Sequence, residues 1–147
     1  MAVMVPFLVV GMMGFLDLGR AFYYQISLTN AVREAARYAS QNTYYGLNPT
    51  CSPPPSPPGQ YCPVPLDDAI RARVNQELAG ISGFTVDPND VTVNPSQGTR
   101  MTQFGNQVQY TVRVDATYDF HFITPLIGSL IGDPLTLHSS ADMRTDY

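Results

Sequence analysis

Lysine is absent from this chain of 147 residues, and all eight of its basic residues are arginines. Without lysine the chain cannot join its neighbours through lysine isopeptide bonds, and it has no LPxTG-type sorting signal either. Only 14% of the residues are charged and the net charge is −4, so no basic surface for nucleic acid is expected. These absences exclude a lysine-cross-linked pilus and argue against a nucleic-acid-binding protein.

Catalytic and cofactor motifs are missing as well. The sequence has no HExxH zinc motif, no nucleophile elbow and no glycine-rich phosphate loop. Its histidines, His121 and His138, fall in predicted strands, and no spacing of its acids indicates a catalytic pair. Asp87 and Asp90 are placed as in a calcium loop but supply too few ligands, so a helix-to-strand turn is favoured. We therefore predict no enzyme, no cofactor and no metal site.

The only two cysteines, Cys51 and Cys62, enclose ten residues inside a proline-rich loop that we place at residues 47–65. Because no histidine lies beside them and a structural zinc would need four ligands, a disulfide is favoured over a metal site. An oxidised pair would indicate an extracytoplasmic location, whereas two free thiols remain the alternative. The proline run resembles ligands of proline-binding modules, but a structural role is favoured inside so short a loop.

Charge is absent from the first sixteen residues, Met1–Leu16. Such a run falls short of the roughly 20 residues of a bilayer crossing, unless Leu18, Ala21 and Phe22 extend it. A cleaved signal peptide fits less well, because no basic segment precedes the run and no small-residue cleavage site follows it. We expect a start already processed or trimmed, and one helix of about 45 residues that is apolar first and amphipathic later.

The apolar half of this helix is predicted to assemble with other helices. Gly11 and Gly14 favour close helix packing, although they could merely soften a membrane anchor. Asp17 and Arg20 stand three residues apart, so they can pair locally or with a neighbouring subunit. Tyr23 and Tyr24 are placed as in an interfacial aromatic belt. The predicted interface comprises Pro6, Phe7, Leu8, Gly11, Gly14, Phe15, Asp17, Leu18, Arg20 and Phe22.

The second half of the helix carries a stripe of mostly small residues suited to packing under a sheet. We expect this stripe to form the core of a head domain through Leu28, Val32, Ala35 and Ala39. The chain would thus divide into an apolar helix at residues 1–22 and a globular head at residues 23–147.

Beyond the helix the pattern predicts an α+β fold. A second short helix, Asp67–Leu78, opens with two acids at the positive end of its dipole. Alternating residues then predict strands at Asp90–Asn94, Gln107–Phe122 and Leu135–Asp146, joined at 95–106 by a turn-rich link. The expected architecture is a long N-terminal helix packed on a small antiparallel sheet of three to four strands.

The order of elements resembles the TadE-like pilin family. An apolar run is followed by an acidic-x-G-R group (Asp17, Gly19 and Arg20) and then by the segment NAVREAARYA at residues 30–39. The segments DPNDVTV, FHFITPLIGSLIG and LTLHSSADMRT are also similar, so the resemblance covers nearly the full length. One departure is that the family's glutamate before the apolar run has no counterpart here.

The resemblance implies a type IV pilin-like subunit of tight-adherence pili. Such proteins are cleaved by a prepilin peptidase, held in the cytoplasmic membrane, and drawn by an assembly machinery into an extracellular filament of bundled helices. We expect a homo-oligomeric filament subunit for surface adhesion. The alternatives are a minor TadE-like pseudopilin of a priming or tip complex and a single-pass membrane-anchored binding module.

Overall fold

The structure, a computed structural model, describes residues 4–41, 45–47, 61–62, 64–105, 109–124, 127–129 and 132–145. Its helices are α1 (Met4–Ala39), α2 (Asp67–Leu78) and α3 (Gln97–Gly105), with a 3₁₀ turn at Pro88–Asp90. Its strands are β1 (Tyr45–Leu47), β2 (Tyr61–Cys62), β3 (Val91–Asn94), β4 (Thr111–Phe120) and β5 (Leu135–Arg144). The predicted α+β fold is confirmed.

The main sheet is an antiparallel meander in the order β3-β4-β5. In its register Val91 lies opposite Ala116, and Phe120 lies opposite Leu135. The short strands β1 and β2 pair with each other in a separate two-stranded sheet. Because β4 pairs along its full length with β5, these two strands form a continuous platform for the long helix.

The platform buries one face and exposes the other, as the alternation predicts. Val112, Val114 and Ala116 of β4 are buried, whereas Thr111 and Arg113 face solvent. The C-terminal half of α1 lies on the buried face, and the Gln25 side chain donates a hydrogen bond of 2.9 Å to the His138 carbonyl of β5. The main sheet thus has helix on one face and solvent on the other.

Helix α2 packs beside α1 through the apolar stripe that the sequence predicts. Ile70, Val74 and Leu78 are all buried. On the rim, Arg73 forms ion pairs with Glu34 of α1 at 3.5 Å and with Glu77 of its own helix at 3.1 Å. The two helices and the sheet therefore share one core.

The long helix ends earlier than predicted. It stops at Ala39 rather than near Tyr45, and Gly46, expected as its C-terminal cap, lies in β1. At this end of the helix the Ser40 hydroxyl donates a hydrogen bond of 2.8 Å to the Arg37 carbonyl. Because the sequence after Ala39 is polar, a further turn would have no apolar side chain to bury.

The link predicted at residues 95–106 is wrong, because Gln97–Gly105 forms α3. The Asp67 carboxylate accepts from the Gln97 backbone N–H at 3.2 Å and also pairs with the fully buried Arg100. One acid from the start of α2 thus holds the start of α3, and this contact leaves no trace in the local sequence.

Strand bounds also differ from the prediction at their ends. Strand β4 begins at Thr111 and ends at Phe120, so His121 lies just beyond it and pairs with Asp133 at 3.2 Å. Strand β5 ends at Arg144, two residues before the predicted end. Both histidines are exposed.

Truncation of a core residue of α1 tests this packing. Leu28→Ala should lower the free energy of unfolding by about 2–5 kcal/mol, because Leu28 is fully buried between helix and sheet. Thermal unfolding of the detergent-solubilised protein, followed by its tyrosine signal, measures the change. The matched control is Ile26→Ala on the same helix, where the side chain is 60% exposed and a change within about 0.5 kcal/mol is expected. Equal effects of the two variants would contradict the described core.

Candidate assembly interface

The first part of α1 is bare. Every large apolar side chain from Met4 to Leu16 is exposed, and Phe7 and Phe15 reach 77% and 79%. A surface of this size and apolar character is rare on a soluble monomer and indicates contact with a membrane or with other protein chains. We call residues 4–16 the bare segment.

The bare segment has a notch at Gly11. A groove of about 410 Å³ runs along one side of the helix, and its lining consists of Phe7, Leu8, Gly11, Met12, Phe15 and Leu16. A Cβ atom added to Gly11 would meet no other atom within 4 Å, so the space beside Gly11 is open and is not covered by the rest of the described chain. A glycine in this setting lets another helix approach closely.

Gly14 faces the chain's own head instead. A Cβ atom there would lie 2.7 Å from Cδ1 of Ile127, in the loop between β4 and β5. The two glycines that the sequence groups together therefore have different surroundings. Gly11 is open, whereas Gly14 makes room for the loop.

Asp17 is where the loop is joined to the helix. Its side chain is buried, with the residue only 2% exposed, and Oδ2 accepts a hydrogen bond of 2.8 Å from the Thr124 backbone N–H. Arg20 Nη1 lies 3.4 Å from the other oxygen, Oδ1. The structure thus shows the local ion pair, and both carboxylate oxygens have partners within the chain.

The described residues of the loop are joined by backbone hydrogen bonds. The amides of Ile127 and Gly128 donate to the Thr124 carbonyl at 3.1 and 3.3 Å, and Gly132 donates to the Gly128 carbonyl at 2.9 Å. Gly132 has φ of +105°, a left-handed conformation that favours glycine. These bonds hold the Thr124 amide in place for Asp17.

An aromatic cluster packs against α1 within the two turns that follow Asp17. The ring of Tyr24 stacks on Phe84 at 4.4 Å, and Phe84 also contacts Tyr118 at 4.6 Å. The Arg20 guanidinium lies over the rings of Tyr24 and Phe120 at 5.8 and 5.4 Å. Burial raises the pKa of Tyr118, and the neighbouring Tyr24 adds to the rise. Of these two neighbouring tyrosines, Tyr24 therefore packs against the core of the head, and only Tyr23 is exposed.

The predicted interface residues fall into three groups. Those with open surroundings are Pro6, Phe7, Leu8, Gly11, Phe15, Leu18 and Phe22. Gly14 and Arg20 are partly covered, and Asp17 is buried. The predicted head-core residues Leu28, Val32, Ala35 and Ala39 are all buried against the sheet and α2.

The predicted disulfide falls largely outside the description. Cys62 lies in β2, but Cys51 and most of the loop at 47–65 are outside the described residues, so the bridge stays a prediction. Within the described ranges, no group of three histidine, cysteine or acidic residues could hold a metal ion. Asp87 accepts from the Asn89 amide at 2.8 Å and so begins the 3₁₀ turn before β3.

Sequence reasoning missed the partners of Asp17. Thr124 contributes a backbone amide, which has no side-chain signature, and Ile123 and Ile127 belong to a stretch that looks like a mere connection. The available signal was the apolar character of that connection, FITPLIGSLIG, because an exposed loop would normally be polar.

Two findings identify the class of protein. Helix α1 is long and apolar enough to cross a membrane, and only 11% of its most apolar stretch is buried within the described chain. A model of the TadE-like protein family matches residues 1–37, which covers α1 almost to its end and leaves the rest of the chain unmatched. The helix and this likeness both fit a membrane-anchored, pilus-related protein. No curated protein and no solved structure gave a match.

Removal of the Asp17 carboxylate tests the junction. Asp17→Ala should leave the Thr124 amide without an acceptor, at a cost of about 1–3 kcal/mol. Hydrogen exchange at Thr124 should then be roughly ten- to a hundredfold faster in the detergent-solubilised protein. The control is Asp68→Ala, which removes an exposed acid paired only with Arg71 at 3.0 Å. Unchanged exchange at Thr124 in Asp17→Ala would contradict the described junction.

Proposed function

We propose that the protein is a structural subunit that polymerises through α1 into an extracellular pilus of the Tad type, used for adhesion to surfaces. The observation that supports this most is the contrast between a bare segment with exposed apolar side chains and a head whose core is closed. The family match over α1 supports the same proposal, because TadE-like pilus proteins are structural rather than enzymatic.

The energetics favour a lasting assembly. Covering one large apolar side chain contributes about 1.5–3 kcal/mol, so ten such side chains supply tens of kcal/mol before the costs of association. Water cannot be the lasting surroundings of this surface. The cytoplasmic membrane covers it first, and the same segments of neighbouring copies cover it in the filament.

Assembly then requires partners outside the chain. Under this proposal a prepilin peptidase processes the precursor, and the pilus machinery extracts the subunit from the membrane. The polar, solvent-facing side of β4 and β5 would become part of the outer surface of the filament. No nucleic acid takes part.

A second candidate role is that of a minor subunit at the tip or in the priming complex. The description of the matching family, TadE-like protein, is compatible with this role as well as with a shaft subunit. Quantitative mass spectrometry of sheared filaments distinguishes the two roles. A shaft subunit is the main protein of the filament, whereas a minor subunit is present at a small fraction of it.

Filling the Gly11 notch tests the proposed function. Gly11→Leu keeps the segment apolar, so the subunit should still enter the membrane, but the new side chain blocks close helix approach. We expect filament yield, counted by electron microscopy of sheared surface material, to fall about tenfold, which corresponds to roughly 1.4 kcal/mol per contact.

The matched control is Gly80→Leu, at an exposed turn after α2 where an added Cβ also meets nothing within 4 Å. Its filament yield should equal that of the unaltered chain. A chain that stays in the membrane fraction and never enters filaments would contradict the proposal and favour a membrane-anchored binding module.

A further inference from the structure

A pocket lies where the loop between β4 and β5 meets α1. Its volume is about 320 Å³, and its lining consists of Met13, Leu16, Asp17, Arg20, Ile123 and Thr124. We call it the junction pocket. Leu16 also lines the groove around Gly11, so the two concave features adjoin on the same helix.

The exposed surface of the junction pocket is apolar, although its lining includes the ion pair of Asp17 and Arg20. Asp17 Oδ2 is used by the Thr124 amide, and Oδ1 faces Arg20. The Arg20 guanidinium lies against the rings of Tyr24 and Phe120. Because these polar groups already have partners, the exposed lining is almost entirely apolar. A polar ligand would gain little here.

Ile123, on the rim of the pocket, is 73% exposed. Among the residues at 27–41, 64–103, 109–124, 127–129 and 132–145, it is the only large apolar side chain exposed to this extent. Within these ranges the head therefore exposes a large apolar side chain only beside the bare segment. That placement makes the pocket a continuation of the proposed assembly surface.

We propose that the junction pocket receives an apolar side chain from the bare segment of a second copy of this chain, and this inference rests on the proposed function. A cavity of about 150 Å³ is enough to hold a benzene ring, so the pocket has room for a phenylalanine side chain. Phe7 and Phe15 are 77% and 79% exposed, and both line the open groove. Phe7 is the better candidate because it lies ten residues before Asp17, whereas Phe15 lies only two residues before it and adjoins the pocket of its own chain.

The contact would join different surfaces of the two copies. The pocket belongs to the junction and the inserted side chain to the bare segment, so each copy can offer both at once. Such a heterologous contact produces an open helical array when its rotation does not close. Phe7 stands ten residues before Asp17, so its insertion would displace neighbouring copies by about 15 Å along the helix axis.

Site-specific photocross-linking in intact cells tests the inference. Ile123 is replaced by p-benzoylphenylalanine, and the cells are irradiated before membranes and sheared filaments are separated. We expect cross-linked dimers whose partner peptide lies within residues 4–16, as identified by mass spectrometry. Attachment to the chain's own helix gives no dimer on a denaturing gel. The same photoreactive residue at Ser140, exposed on the solvent side of β5, is the control and should give no such dimer.

The outcomes separate this inference from the proposed function. Filaments that contain the protein without dimers to residues 4–16 overturn the pocket contact and leave the filament role intact. Dimers in the membrane without filaments support the contact and overturn the filament role. Cross-links to lipid alone, to the assembly machinery, or to the head of the second copy also overturn the contact.

A pair of charge variants gives an independent readout. Ile123→Asp places a carboxylate at the pocket rim, and Ser140→Asp places the same charge on the polar face of the sheet. We expect filament yield to fall about tenfold for the first and to stay unchanged for the second. Equal melting temperatures of the two solubilised variants would show that the head is intact. Full assembly of Ile123→Asp filaments would overturn the inference.

Discussion

The hydrogen bond from the Thr124 amide to Asp17 is the constraint on which the rest of the junction depends. A carboxylate directly after an apolar helical segment is costly to bury, and it is tolerated here because an amide and Arg20 both face it. The bond draws the loop onto the helix, where Cδ1 of Ile127 lies over Gly14 and Ile123 is left facing outward. One buried charge thus sets where the head ends and the bare segment begins.

The two halves of α1 carry apolar side chains of different size, small in the buried half and large in the bare half. The buried half carries Ala31, Ala35, Ala36 and Ala39, so the helix axis can approach a sheet whose own residues supply the bulk. The bare half carries large apolar side chains that nothing in the described chain covers. Side-chain size along the helix therefore follows the division between the surface that the chain itself covers and the surface that it leaves exposed.

The parts of the fold that the sequence predicts are those with local signals. Helix α2 begins and ends as expected, because its two opening acids and the spacing of Ile70, Val74 and Leu78 lie within one segment. Helix α3 was missed because its first amide and Arg100 are held by Asp67, about thirty residues earlier. Asp17 was recognised as a special residue, but its partner lies 107 positions away and is a backbone group, so the sequence could not name it.

This same feature gives a physical account of a family match confined to residues 1–37. The segment contains the bare surface, the acid that holds the loop, and the alanine stripe almost to its end. The partners of these residues in the head are the Thr124 main-chain amide and the apolar face of the sheet. Many sequences can provide a main-chain amide and an apolar sheet face. The apolar surface that the proposed assembly would cover is therefore concentrated in α1, and Ile123 adds an exposed apolar side chain beside it.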